Sequence, residues 1–457
     1  MMKPHNLSIL LVSGLALTAA AACGSGDGGS GGDKAAAPGA GAKVTITVGC
    51  QPPKTNPVQR DEWNEDVAAF QKLHPDITID SKDGFPCHDV KTYDAKLAGG
   101  QMENVFYGYV GDVQTAIKAG QAADITDYVK DVATFADLDP SVMAAFTVNG
   151  RIYGLPRTTY KVGLVYNRKL FTQAGLDPDN PPKTWAELRE AAKKISGLGP
   201  GYIGYGEYSA GNTGGWHFTQ EIYGRGGSIV SDDGKKATFN SAEGKAVLQN
   251  LKDMRWTDNS MGTKQLYQWD DLMRLMGAGK MGMILGAPDV ITELHDNRHA
   301  KYEDFGLGAF PEATATLGGG DGYLFNVKDT PEQIRAGIAW LSYYNLTPGQ
   351  GQFNYERQKA KGRAVGLPDN NPWGGSASGQ KLVQLRTQFS TLPAQNYKAY
   401  EDGSAALPLK LEPPNTQQLY QILDTPMSAV LTRQDADVDS LLADAEKKVD
   451  DLLARSG

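Results

Sequence analysis

Apolar positions either alternate or recur every three to four residues along most of the chain, and these two rhythms divide it into strands and helices. Val44-Thr45-Ile46-Thr47-Val48 is a β-branched run closed by Gly49-Cys50, the pattern of a strand. Trp63, Val67, Phe70 and Leu73 recur at helical spacing and predict an amphipathic helix over 61–73, stopped by Pro75. Ile77-Thr78-Ile79 predicts a second strand, a helix follows over about 89–98, and Val105-Phe106-Tyr107 predicts a third strand. Strands alternating with helices build a parallel sheet covered by helices, and the loops after the strands' carboxyl ends line its ligand crevice. The second half repeats these signals with interruptions. Gly163-Leu164-Val165-Tyr166 and Met281-Gly-Met-Ile-Leu are strand-like, and Thr184 with Glu187 forms a capping box. Helices are predicted over 242–254, 270–276 and 334–344, and Val438, Leu441, Leu442, Ala445, Val449 and Leu452 share the apolar face of a last one. No fixed-period repeat is present.

The segment before the first strand has a different rhythm. Lys3, an apolar run from Leu7 to Ala22 and the small residues Ala20-Ala21-Ala22 have the order of an export signal. The run is shorter than the ~20 residues that span a bilayer. Cys23 follows it directly and precedes a Gly/Ser/Asp stretch, which resembles the lipobox of bacterial lipoproteins, with Ala20 where Leu is usual. Residues 1–22 are therefore expected to be a lipoprotein signal peptide, with Cys23 lipidated. Residues 23–42 are expected to form a flexible linker, too poor in apolar surface to offset the entropy of ordering.

Composition narrows the class. The 457 residues exceed the ~250–300 at which one core stops growing, so two domains are expected. A net charge of −8 argues against nucleic acid, whose binders carry a basic face. With Cys23 set apart, Cys50 and Cys87 form an even pair, which reads as a disulfide in an exported protein. Both cysteines follow predicted strand ends, which sets the bridge beside the expected crevice.

Catalytic signatures are mostly missing: the sequence has no G-x-S-x-G elbow, no H-E-x-x-H and no Walker loop. The glycine clusters at 224–227 and 318–320 read as turns. His295 and His299 are one helical turn apart without a convincing third ligand, so no metal site or cofactor is expected. A paired-carboxylate glycosidase stays open, because that pair has no fixed spacing. The positive signal is a cluster of aromatic and polar residues in loop-like segments: Tyr107, Tyr109 and Asp112; Trp216-His217; Trp269; Asp321 to Tyr323; and Asn371-Pro372-Trp373. Flat rings suit the C–H faces of sugars, and carboxylates and amides suit their hydroxyl rims. Polyamines and peptides favour similar linings.

Gly150-Arg-Ile-Tyr-Gly-Leu-Pro, Leu164-Val-Tyr-Asn-Arg-Lys-Leu-Phe and Pro182-Lys-Thr-Trp-Ala-Glu-Leu together resemble the family 1 extracellular solute-binding proteins, the maltose-binding-like components of sugar ABC importers. Phe70 to Ile77, Ala278-Gly-Lys-Met-Gly-Met and Ala339-Trp-Leu-Ser-Tyr-Tyr are similar to further landmarks of that family. The resemblance implies an α/β, two-lobed, periplasmic-binding-protein-like (type II) fold, each lobe a mostly parallel sheet with flanking helices. The N-terminal lobe would comprise 43–157 with a return over about 288–322. The C-terminal lobe would comprise 158–287, completed by about 323–457. Crossings between lobes would fall near Pro156–Lys161, Gly286 and Asp321. The resemblance also implies a non-enzymatic, monomeric sugar binder outside the cytoplasm, tethered through Cys23 and serving a membrane permease. Its implied contacts are Tyr109, Asp112, Tyr160, Trp216, Trp269, Asp321, Trp373 and Tyr420. Asp289, in Ala287-Pro288-Asp289 where relatives often carry Trp, would accept sugar hydroxyls.

Overall fold

In the computed structural model, described residues are 43–83, 87, 92–209, 211, 213–264, 266–368, 371–413 and 415–456. Cys23, the expected signal peptide and the expected linker lie outside them, as does the start of the helix expected over 89–98, whose described part is Tyr93–Ala98.

Two sheets organise residues 43–456. The first has the strand order Ile77–Asp83, Val44–Gln51, Val105–Tyr109, Gly320–Phe325, Gly154–Thr159. Its first three strands are parallel, whereas Gly320–Phe325 runs antiparallel to both neighbours. The second sheet has the order Phe305–Gly308, Gly163–Asn167, Met281–Gly286, Ile203–Tyr205, and only its last pair is parallel. The expected two-lobed α/β architecture is present, and in each sheet all strands but one share a direction: Gly320–Phe325 is reversed in the first and Gly163–Asn167 in the second. Each reversed strand is the first after a crossing between the lobes, at 160–162 and 309–319.

Side-chain chemistry explains the local starts and stops. Asn56 accepts the Gln59 N–H and Pro57 occupies the first turn, so the first helix begins at Pro57 and runs to Leu73. The Thr184–Glu187 capping box opens Trp185–Ser196 as expected. The predicted helices over 242–254, 270–276 and 334–344 are observed as Ala242–Trp256, Trp269–Gly277 and Pro331–Tyr344.

The cores correct the lobe boundaries. Ile46, Val48, Phe70 and Val105 share one apolar cluster with Trp340, Tyr355, Trp373 and Leu382. Trp340 lies between Trp63, at 5.5 Å, and Tyr344, at 4.9 Å between ring centroids. Asp66, buried in the first helix, takes two hydrogen bonds from Arg357, at 2.6 and 3.0 Å. The segment from Gly320 to about Phe389 therefore belongs to the N-terminal lobe. The second sheet is packed on both faces: Leu164, Met283 and Leu285 meet helices that include Thr416–Thr432 and Val438–Ser456, while Val165, Ile284 and Leu307 meet Leu294, Tyr397 and Tyr400. The stretch 288–308, expected to return to the N-terminal lobe, instead stays in the C-terminal lobe as helix Asp289–Arg298 and strand Phe305–Gly308. No crossing occurs at Gly286. The chain crosses at 160–162, 309–319 and about 390–393.

A disulfide joins Cys50 to Cys87, 37 positions further along the sequence, with their Cα atoms 4.9 Å apart. Cys50 sits at the end of the first strand with a positive φ of 71°.

Candidate functional site

The first crossing builds the site. In an extended chain successive side chains point to opposite sides. Thr158 and Tyr160 accordingly line a cavity of about 640 Å³, while Thr159 and Lys161 line a separate crevice. The first sheet contributes Tyr107, Tyr109, Arg157 and Asp321 to the cavity, and the other lobe contributes Tyr208, Trp216, Trp269 and Asp289. Close backbone approach at this crossing requires the glycines read as a turn: a Cβ on Gly319 would lie 2.5 Å from the Tyr160 hydroxyl, and one on Gly320, at φ 151°, 2.2 Å from the Thr158 carbonyl oxygen.

Of the nine implied contacts, Tyr109, Tyr160, Trp216, Trp269, Asp289 and Asp321 converge on this cavity. Tyr109 and Trp269 offer the most open ring surface, at 41% and 39% exposure. Tyr109 meets Tyr107 edge to face at 5.4 Å, and Trp269 lies parallel to Tyr208 at 5.3 Å and 7°. The Trp216 indole donates to the Tyr160 hydroxyl at 3.0 Å, and that hydroxyl donates in turn to Glu412 at 3.4 Å. Burial, reinforced by Glu412, holds the Tyr160 phenol well above its ordinary pKa, so it stays a neutral donor.

Asp321, expected to accept ligand hydroxyls, is already engaged. Arg157 donates to both its oxygens, at 2.7 and 2.5 Å, Tyr107 at 2.9 Å and Thr158 at 3.1 Å. A carboxylate offers about four acceptor sites, so these four donors saturate it. Burial and the Asp321 charge push the Tyr107 phenol far up, and it remains protonated. Asp289 is different. It opens helix Asp289–Arg298, is exposed on the cavity wall, and pairs with no cation among the described residues. The protein around the cavity wall partly desolvates it and raises its carboxyl pKa, against the lowering effect of the backbone N–H groups of Asp289 and Val290.

Two implied contacts are corrected. Trp373 is 1% exposed and packs on Phe353 at 5.5 Å in the N-terminal core, because the segment carrying it folds into that lobe rather than toward the cleft. Tyr420 is buried in helix Thr416–Thr432 behind the cavity wall, where it donates to Glu412 at 3.2 Å. It thereby supports the carboxylate that Tyr160 uses. The side chain of Asp112 lies outside the described residues. Arg157, Thr158, Tyr208 and Thr213 line the cavity without having been singled out from sequence. Only strand pairing brings Arg157 to Asp321, 164 residues away, and the Tyr202-x-x-Tyr205-x-x-Tyr208 spacing does not say which ring faces outward.

Behind Trp216 is a dry charged layer. His217 and Glu207 touch with neither exposed, and Glu207 also accepts from Tyr205 at 2.9 Å. Burial and the Glu207 charge push the Glu221 carboxyl up to about 8, partly offset by Arg225, which stacks over Trp185 at 4.4 Å. Among the described residues no cluster of His, Cys, Asp and Glu could hold a metal ion, and no helix is long and apolar enough to cross a membrane.

A mixed-sheet, two-lobed molecule with an aromatic cavity at its first crossing is a protein of the ligand-binding cleft class. Residues 56–350 match the model of the bacterial extracellular solute-binding proteins, and the chain belongs to that family. It is 27% identical over 203 residues to a protein of Brucella abortus (strain 2308) named a putative binding protein, covering 43% of this chain and 46% of the relative. It is also 27% identical over 237 residues to the sn-glycerol-3-phosphate-binding periplasmic protein UgpB of Yersinia pestis bv. Antiqua, covering 46% of this chain and 48% of that one. The chain thus spans about half the length of these curated relatives. Its fold matches the cyclic α-maltosyl-1,6-maltose binding protein from Arthrobacter globiformis with a TM-score of 0.70 at 22% identity, covering 91% of this chain and all of that one.

Proposed function

We propose that this chain captures a carbohydrate between its lobes and delivers it to the permease of an ABC importer. The observation that carries this reading is the cavity wall: open rings at Tyr109 and Trp269 beside the hydrogen-bonding edges of Tyr160, Thr158 and Asp289. Rings take up the C–H faces of a sugar, and the polar edges take its hydroxyls. The structural neighbour from Arthrobacter is named for a cyclic maltosyl-maltose, which fits the same reading.

The cavity chemistry disfavours two rivals. A phosphate-bearing ligand, such as the one for which the Yersinia relative is named, needs an available cation, and the one cation among the described lining residues, the Arg157 guanidinium, is committed to Asp321. A retaining or inverting glycosidase needs two working carboxyl groups, and Asp321 is already neutralised, which leaves Asp289 alone among the described lining residues. Incubation with oligosaccharides should release no reducing sugar.

Trp269→Ala should weaken sugar binding about five- to tenfold, the loss of one stacking ring, with the melting temperature of the ligand-free protein unchanged. Calorimetry on a sugar found by thermal-shift screening measures this, and unchanged affinity removes Trp269 from the site. We further propose that Cys23 carries the lipid that tethers the binder outside the cytoplasmic membrane. Intact mass of the membrane-extracted protein should show diacylglycerol addition, and an unmodified mature start refutes the tether.

A further inference from the structure

The cavity is electron-rich and carries one uncompensated carboxylate among its described lining residues. Tyr109, Tyr160, Tyr208, Trp216 and Trp269 present aromatic faces or edges to it, and ring faces are the negative pole of the aromatic quadrupole. Arg157 is cancelled by Asp321. Lys161 points away to the other side of the crossing strand, where it donates to the carbonyls of Ala405 and Leu407 at 2.7 and 2.8 Å. Asp289 therefore has no cationic partner among the described residues, and its charge acts on Tyr160 and Tyr208 across the cavity. Lobe closure over a neutral ligand would strip water from this carboxylate and return only hydroxyl hydrogen bonds. A ligand with its own positive charge would supply a counter-ion to the carboxylate and a cation to the rings at once.

Building on the carbohydrate reading, we infer that the preferred ligand is a sugar carrying a protonated nitrogen, with Asp289 as its counter-ion and the surrounding rings as its cage. Asp289 is then the residue that selects an amino sugar over its neutral counterpart.

The test compares ligands built on the same two rings, one charged at nitrogen and the other neutral with two added acetyl groups. The β-1,4 dimer of glucosamine and its N,N′-diacetylated form have the same two rings, and only the first is cationic. Titration calorimetry on the wild-type protein should show the amine bound at least about tenfold more tightly than the acetylated dimer, with that preference shrinking as salt rises from low to high. In Asp289→Asn the ratio of the two affinities should collapse toward one. Asp289 is exposed, so this variant should fold, and the salt series on the unaltered protein tests the same charge independently. Equal binding of the two dimers, or preference for the acetylated one, overturns the inference and leaves the carbohydrate reading standing. Spermidine binding more tightly than either sugar overturns the carbohydrate reading itself. Failure of amine, acetylated dimer and neutral maltooligosaccharides alike overturns both.

Discussion

Arg157 and Asp321 lie on neighbouring strands of the first sheet and cancel each other's charge at the floor of the cavity. This turns a residue that looks like a ligand contact into scaffold. It also fixes the electrostatic character of the site, because Asp289 is left as its open charge. Asp329 shows the opposite situation, a carboxylate with too few partners. It accepts from the Asn104 amide at 2.5 Å while its second oxygen has no donor among the described residues. Burial raises its pKa to about 6, with the Asn104 bond and the Asn326 backbone pulling it down. The folded state then holds this proton more tightly than the unfolded chain, whose carboxyl titrates near 3.8. Its stabilising share is fully present below that value and is lost as pH rises through about 6. Asp329→Asn should therefore raise stability at pH 7 to 8 and leave it unchanged near pH 4, as denaturant titrations at the two pH values would measure. An equal change at both pH values would mean that the carboxyl's titration is irrelevant to the fold.

At the scale of elements, legibility followed locality. Helix starts were readable because their chemistry is short-range: Thr184 and Glu187 cap each other within one turn, and Trp63, Val67 and Phe70 mark one face within three. The strands 44–48 and 281–285 were readable for the same reason. Sheet membership was not. Gly320–Phe325 looks in sequence like a loop rich in glycine, yet it fills the gap between Val105–Tyr109 and Gly154–Thr159, where Gly322 leaves room for Phe146 and the Leu155 carbonyl. The same non-locality decided the site. Tyr109, Trp216 and Trp269 were visible as aromatic residues at loop-like positions, whereas Tyr160 and Asp289 came only from the family resemblance. Trp373 has an equally promising neighbourhood in sequence, but the crossing at 309–319 had already returned the chain to the N-terminal lobe, so its ring meets Phe353 in the core. The loop chemistry that marks a cleft also marks a turn over a core.

On the scale of the whole molecule, the two faces of the crossing strand act against each other. The cavity that takes Thr158 and Tyr160 lies on one side, and a crevice of about 620 Å³ takes Thr159 and Lys161 on the other. Arg386 of the N-terminal lobe reaches across this rear crevice to Glu401 of the C-terminal lobe at 2.5 Å. Lobes joined by three short crossings move as bodies about them, so closure over a ligand in the front cavity widens the rear crevice. The Arg386–Glu401 pair therefore opposes closure, and ligand binding must stretch or break it. Glu401 is 38% exposed, so the pair contributes about 0.2–1 kcal/mol. Arg386→Ala touches nothing in the front cavity, yet it should tighten ligand binding about two- to fivefold by lowering the cost of the closed state, mostly through slower dissociation. Stopped-flow tryptophan fluorescence can follow this, since Trp216 and Trp269 line the cavity. Small-angle scattering of the ligand-free variant should also shift toward a more compact form than that of the ligand-free wild type. Unchanged affinity together with an unchanged scattering profile would show that the pair does not hold the lobes apart.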